Sequence, residues 1–234
     1  MRFHRLLPLA VLCAAPAAAQ QTTVCPTPPT PGREQSPVDI RQATPTRMAR
    51  LGTHYPVVSG RAYNTGHTVQ VSVASGDRIV IDSDTFQLVQ FHFHWPSEHQ
   101  FLGDSFPAEI HMVHQGAGGK LAVLGTWVRR GAYNRAWNQL FSHLPREGDT
   151  LAVRVDVHRM FGFADLNAER VYRYCGSLTT GSAEPYQEGV TWLMRRTTIT
   201  LSPAQLDSLH HAMHRYSRDV QPLNGRVIRY RPVH

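Results

Sequence analysis

Gln90-Phe91-His92-Phe93-His94-Trp95 and Ala108-Glu109-Ile110-His111-Met112-Val113-His114 are the two stretches from which the rest of the chain can be read. Both have the apolar, aromatic and β-branched content of strands. Alternate residues of a strand point to one face, so His92 and His94 project together while Phe91, Phe93 and Trp95 turn away. A neighbouring strand carrying His111 adds a third imidazole to the same point. Three neutral imidazoles around an open position make a catalytic zinc site whose fourth ligand is water. The metal lowers that water's pKa to about 7. Gln90 and Glu109 each stand two residues before a histidine and share its face. A ligating imidazole normally gives its other N–H to such an amide or carboxylate.

Working outward, β-rich runs recur at Thr68–Val73, Arg78–Ile81, Phe86–Trp95, Ala108–His114, Leu121–Val128, Leu151–Val155, Val171–Tyr174, Val190–Met194 and Val227–Tyr230. Gly, Pro, Asp and Ser punctuate them. Two helices are expected. One covers Tyr133–His143, with Ala136, Leu140, Phe141 and Leu144 near helical spacing. The other has Ser202 as N-cap and Pro203 in its first position. The 234 residues read as mainly β (α+β), a single domain with peripheral helices.

The formal charge is +7, and without Arg2 and Arg5 it is +5. The basic residues are scattered, with no stripe suited to nucleic acid. Arg2 and Arg5 precede an apolar run, Leu6 to Ala15, and the small residues Ala17–Ala19. That is a signal peptide over residues 1–19, with an apolar run too short for a permanent span. Cys13 does not mark a lipoprotein, because Leu12 before it is too bulky. The mature protein is thus expected to be periplasmic or secreted, without a membrane span. Residues 20–34 form a Pro-rich lead and 35–234 the domain. Export leaves Cys25 and Cys175, a disulfide candidate in an oxidising compartment, with two unpaired thiols as the alternative.

Several segments together carry a family resemblance: Gln35–Ile40 (QSPVDI), Gln90–His99 (QFHFHWPSEH), Ala108–His114, Leu121–Val128 (LAVLGTWV), Tyr172–Thr180 (YRYCGSLTT), Gly189–Trp192 (GVTW) and Gln221–Arg226 (QPLNGR). In this order and at these intervals the chain resembles an α-class carbonic anhydrase of the bacterial, exported type. The resemblance implies a central, twisted, mostly antiparallel sheet with a conical cavity and zinc at its base. It implies reversible hydration of CO2 to bicarbonate and a proton, by attack of zinc-bound hydroxide on CO2 in an apolar pocket. His92, His94 and His111 match the zinc ligands, and Gln90 and Glu109 the groups that orient two of them.

The catalytic positions follow residue by residue. Thr179 matches the hydroxyl that accepts a hydrogen bond from the hydroxide, and Glu98 the carboxylate that takes the threonine's proton. Val113, Val123, Leu178, Val190 and Trp192 match the CO2 pocket, with Thr180 near departing bicarbonate. His67 falls where the family's proton shuttle does, and an imidazole titrates near neutrality. His99 matches a structural position, and His114 belongs to the strand face opposite His111. His210, His211 and His214 read as a solvated helix face, since no HExxH accompanies them.

The chain departs from the family after Thr180, where GSAEPYQEGV is longer by about three residues and lacks the usual Pro-Pro and cysteine. The aromatic segment usual before QSPVDI is replaced by the Pro-rich lead. A homodimer is compatible with the resemblance. The rival readings are a catalytically silent binding module and a zinc esterase. Silent relatives commonly lose zinc histidines, and this chain keeps three.

Overall fold

The computed structural model describes residues 24–48, 50–162 and 165–233. The signal peptide expected over residues 1–19 lies outside the described residues. A twelve-stranded sheet forms the body of the protein. Across it run Thr150–Val155, Val58–Asn64, Val69–Val73, Asp84–His94, Ala108–Gly116, Leu121–Arg130, Glu188–Leu201, Val171–Ser177, Arg229–Tyr230 and Thr44–Pro45. Arg78–Ile81 pairs with Asp84–His94 and with Leu51–His54 off this path. Most pairs are antiparallel, but Leu121–Arg130 and Glu188–Leu201 run parallel at the centre.

An irregularity in the strand Asp84–His94 decides what the sheet offers on each face. Phe86 and Leu88 are core residues at even positions, whereas Phe91 and Phe93 are core residues at odd ones. The register against Ala108–Gly116 shifts between Leu88 and Gln90, and Val89 is left exposed. One extra residue in a strand reverses the alternation beyond it. This β-bulge therefore sends Phe91 and Phe93 into the main core and turns Gln90, His92 and His94 to the other face.

The main core joins those phenylalanines to Ile110, Met112, Leu124, Trp137 and Phe161. Phe91, Phe93 and Phe161 meet the Trp137 ring edge-on with centroids 5.3–5.8 Å apart, a geometry that aromatic quadrupoles favour. A second cluster on the site side contains Val38, Ile40, Val123, Trp127, Tyr174, Val190 and Trp192.

Helices are peripheral. Pro203–Ala212 begins as expected: the Ser202 side chain accepts from Gln205 N, and Gln205 returns a bond to the Ser202 backbone, a reciprocal cap. The helix expected over Tyr133–His143 is instead a 3-10 turn, Arg135–Trp137, leading into four α-helical residues, Asn138–Phe141. Asn134 caps its start, and Pro145 closes the segment too soon for more turns. Among the described residues no helix is long and apolar enough to cross a membrane. A disulfide joins Cys25 to Cys175, with Cα atoms 5.4 Å apart. It ties the Pro-rich lead to the strand Val171–Ser177.

Candidate metal centre

His92 and His111 are direct cross-strand partners, and His94 pairs with Glu109 two residues along. The ring centroids of His92, His94 and His111 lie 4.5–5.3 Å apart. One nitrogen of each can be chosen so that all three fall within 4.8 Å of one another. All three side chains are buried.

Their hydrogen bonds show which nitrogens are free. Gln90 Oε1 is 2.8 Å from His92 Nδ1, so His92 keeps Nε2, which has no partner. Glu109 Oε1 is 2.7 Å from His111 Nε2, leaving Nδ1 on the other side. His94 Nε2 is buried without a partner. Its Nδ1 stands 3.3 Å from Glu98 Oε1, and the main chain of Tyr216 offers the ring a looser acceptor. Buried polar atoms in this condition cost about 1–3 kcal/mol each unless something binds them. Three neutral imidazole nitrogens facing a common point fit zinc.

The electrostatics favour neutral imidazoles at His92 and His94. Burial, aided by the neighbouring His111, pushes His92 down to about 3. Burial and both neighbours push His94 well below the usual histidine range. Burial alone would raise Glu109, but the charges and hydrogen bonds of His99 and His111 outweigh it and hold the carboxyl far below its ordinary value.

His99, Glu109 and His111 also lie close enough to resemble a metal group. They are instead a hydrogen-bonded chain. Glu109 Oε1 is 2.7 Å from both His99 Nδ1 and His111 Nε2, and Oε2 accepts from His99 N at 2.8 Å. His99 Nε2 then meets the Tyr174 hydroxyl at 2.6 Å, which bonds Ser36 Oγ at 2.9 Å. His99 is thus structural, as expected. His114, on the core face, bonds the Tyr55 hydroxyl and the Met112 carbonyl, both at 3.0 Å.

Glu98 is fully enclosed beside His94 and His111. Its Oε1 accepts from Arg218 N at 3.0 Å. The Thr179 hydroxyl also reaches the carboxylate, in a looser contact that leaves Oε2 without a well-formed partner. Burial raises Glu98 to about 7 against the opposing pull of His111, Thr179 and Arg218. Thr179 is itself buried, two residues beyond the end of the strand Val171–Ser177.

Val123, Val190 and Trp192 are buried in the second cluster, with Val113 and Leu178 packed against it. Trp192 stands edge-on to His111 at 4.8 Å, so this apolar cluster adjoins the histidine group. Thr180 and His67 are exposed.

One expectation needs correction. His210 is not on a solvated face: it is half-buried, and its ring stacks on Trp95 at 4.1 Å and 24°. His214 lies beyond the helix end at Ala212, so the two do not form a helical i, i+4 pair. Sequence reasoning also missed Tyr216 and Arg218. Arg218 meets Glu98 and Tyr216 meets His94 through main-chain groups, for which no residue-type signal exists, and no local period ties the Tyr216 ring to the histidines.

The comparisons with known proteins agree with this geometry. Residues 20–232 match the sequence profile described as eukaryotic-type carbonic anhydrase. A carbonic anhydrase of Klebsiella pneumoniae is 38% identical over 205 residues, covering 84% of this chain and 80% of that protein. An α-carbonic anhydrase of Photobacterium profundum superposes with a TM-score of 0.77 at 34% identity, over 85% of this chain and 89% of the other. The α-carbonic anhydrase of Thermovibrio ammonificans, solved with the inhibitor sulfanilamide, superposes with a TM-score of 0.77 at 33% identity, over 85% and 87%. With its sheet, its histidine cluster and these likenesses taken together, the chain belongs to the eukaryotic-type, or α-class, carbonic anhydrase family.

Proposed function

We propose that His92, His94 and His111 hold zinc and that the surrounding residues carry the family's reaction, the reversible hydration of CO2 to bicarbonate and a proton. The observation that supports the site best is the pair of buried, unpartnered Nε2 atoms on His92 and His94, beside a His111 whose Nε2 is already committed to Glu109. Zinc, when bound, supplies a water acidic enough to ionise near neutral pH.

The chain's own groups then orient and exclude. Gln90 and Glu109 fix the tautomers of His92 and His111, which keeps the ligating nitrogens free of protons. Thr179 gives its one hydroxyl proton to Glu98 and so faces the reacting oxygen as an acceptor. The Arg218 N–H favours the ionised form of Glu98 against its burial, and a cation held by the three histidines would add to that pull, keeping Glu98 in the form that can accept the threonine's hydrogen bond. Val113, Val123, Leu178, Val190 and Trp192 offer a linear, uncharged substrate a dry surface. Thr180 stands where bicarbonate would leave. His67, exposed and 5.5 Å from the Tyr216 ring, would pass the released proton to solvent. The cleavable N-terminal stretch and the disulfide support a periplasmic or secreted protein.

Stopped-flow hydration of CO2 tests this reading, together with zinc content per chain. One zinc per chain and fast hydration are expected, both lost in His94→Ala. Hydration that survives complete chelation would overturn the reading, as would a zinc-loaded, active His94→Ala.

A further inference from the structure

One aromatic side chain reaches the site from the C-terminal segment. Tyr216 follows the helix Pro203–Ala212 and forms a β-bridge with Trp95, the neighbour of His94. Its ring lies 6.3 Å from that of His94, stacked at 27°, and 5.5 Å from that of His67. Its hydroxyl donates to Thr180 Oγ1 at 3.3 Å. A single half-buried ring therefore spans a metal ligand, the exposed histidine and the threonine next to Thr179.

The ring is held in place from the far side. Tyr186 is the second hydrogen-bond partner of the Tyr216 hydroxyl. It belongs to the stretch after Thr180, which is expected from the sequence to be longer than in the family. The Arg218 guanidinium covers the Tyr186 ring at 4.5 Å. The same guanidinium binds Glu184 Oε1 at 2.9–3.0 Å, Gln35 Oε1 at 3.1 Å and the Ser36 carbonyl at 2.6 Å. With its main chain in a β-bridge and its hydroxyl tied to two others, Tyr216 acts as a wall rather than a flap.

We propose that Tyr216 is a specificity-determining residue: its ring narrows the approach to the three histidines beside His67, admitting a linear triatomic molecule and hindering a substituted aromatic one. Discrimination of this kind comes from building a clash against the unwanted ligand rather than from new contacts to the wanted one. The proposal rests on the zinc reading above.

Calorimetric titration of the zinc-loaded protein with two metal-directed anions tests it. Cyanate is linear like CO2, and sulfanilamide carries an aromatic ring. Tyr216→Ala keeps the main-chain acceptor facing His94. It should bind sulfanilamide about tenfold more tightly, the order set by modest changes of pocket shape, with cyanate affinity nearly unchanged. Tyr216→Phe keeps the ring and should resemble the parent with both anions. An unchanged affinity ratio in Tyr216→Ala would overturn the proposal. So would weaker sulfanilamide binding, which would make the ring a stacking platform, or a Phe variant that behaves like Ala. Loss of cyanate binding in Tyr216→Ala would overturn it by showing that the side chain supports the metal site. A parent protein that takes up no zinc would overturn the zinc reading first, and the proposal with it.

Discussion

Replacing Glu109 by glutamine changes two atoms' chemistry and little volume, yet it should weaken zinc binding by about 10- to 100-fold, the usual effect of losing a ligand's orienting partner. The carboxylate accepts three N–H groups: His99 N, His99 Nδ1 and His111 Nε2, at 2.7–2.8 Å. A glutamine side chain has one accepting oxygen and one donating nitrogen. If its oxygen takes the position between the two imidazoles, its NH2 faces the His99 N–H, and two buried donors meet at a cost of about 1–3 kcal/mol. If it flips, the NH2 faces both rings. His111 must then move its proton to Nδ1, the nitrogen it needs for the metal. Either arrangement falls on metal affinity, by about 1.4–2.7 kcal/mol for the factor given. Competition against a chelator of known zinc affinity measures it, with chemical denaturation of the metal-free protein run alongside. Zinc affinity within threefold of the parent would refute the reasoning, because it would mean that the carboxylate does not govern the His111 tautomer.

Thr179→Ala should retain one zinc per chain while hydration slows by about 10- to 1000-fold, the range for losing a positioned hydrogen-bonding group; stopped-flow rates at unchanged zinc content check this, and an unchanged rate would remove the Thr179–Glu98 contact from the mechanism. Burial lowers His114 to about 4, so protonation favours the unfolded chain. Its contribution is whole above about pH 6.5 and is lost as pH falls toward 4, by about 2 kcal/mol between pH 7 and 5. In urea unfolding of the zinc-loaded protein, His114→Gln should lose correspondingly less stability over that interval than the parent, and identical slopes would count against it. Cys25→Ser opens a link between residues 150 positions apart and should lower unfolding stability by about 3–5 kcal/mol on the chain-entropy account. Equal denaturation midpoints for variant and oxidised parent would argue that the link does not constrain the unfolded chain.

The histidines proposed to hold the metal were legible in the sequence because a strand's two-residue period is local. His92 with Gln90, and His111 with Glu109, share a face wherever the strands lie. The bulge at Val89 was not legible, since nothing in Phe86–Gln90 distinguishes a strand that keeps its phase from one that loses it against a partner. Leu51–His54 and Val58–Asn64 escaped notice because Gly, Ser and Arg dilute their apolar pattern. Glu188–Leu201 runs seven residues past the expected end at Met194. The cause is Arg195, a charge that reads as a strand's end but is buried with its guanidinium 2.9 Å from Glu169. Thr179 and Glu98 were assigned through family likeness alone, as no local period connects residues from such distant segments.

The Cys25–Cys175 bond also makes most of the molecule a closed ring. His67, His92, His94, Glu98, Glu109 and His111 all lie within that ring, whereas Thr179 lies four residues beyond it. A protease that cuts once at any exposed turn between the two cysteines therefore yields no separate fragment. The two pieces remain one covalent molecule until a reductant parts them. A chain nicked once inside the ring therefore keeps the three histidines of the proposed metal site on one connected frame, and a single cut need not end its working life.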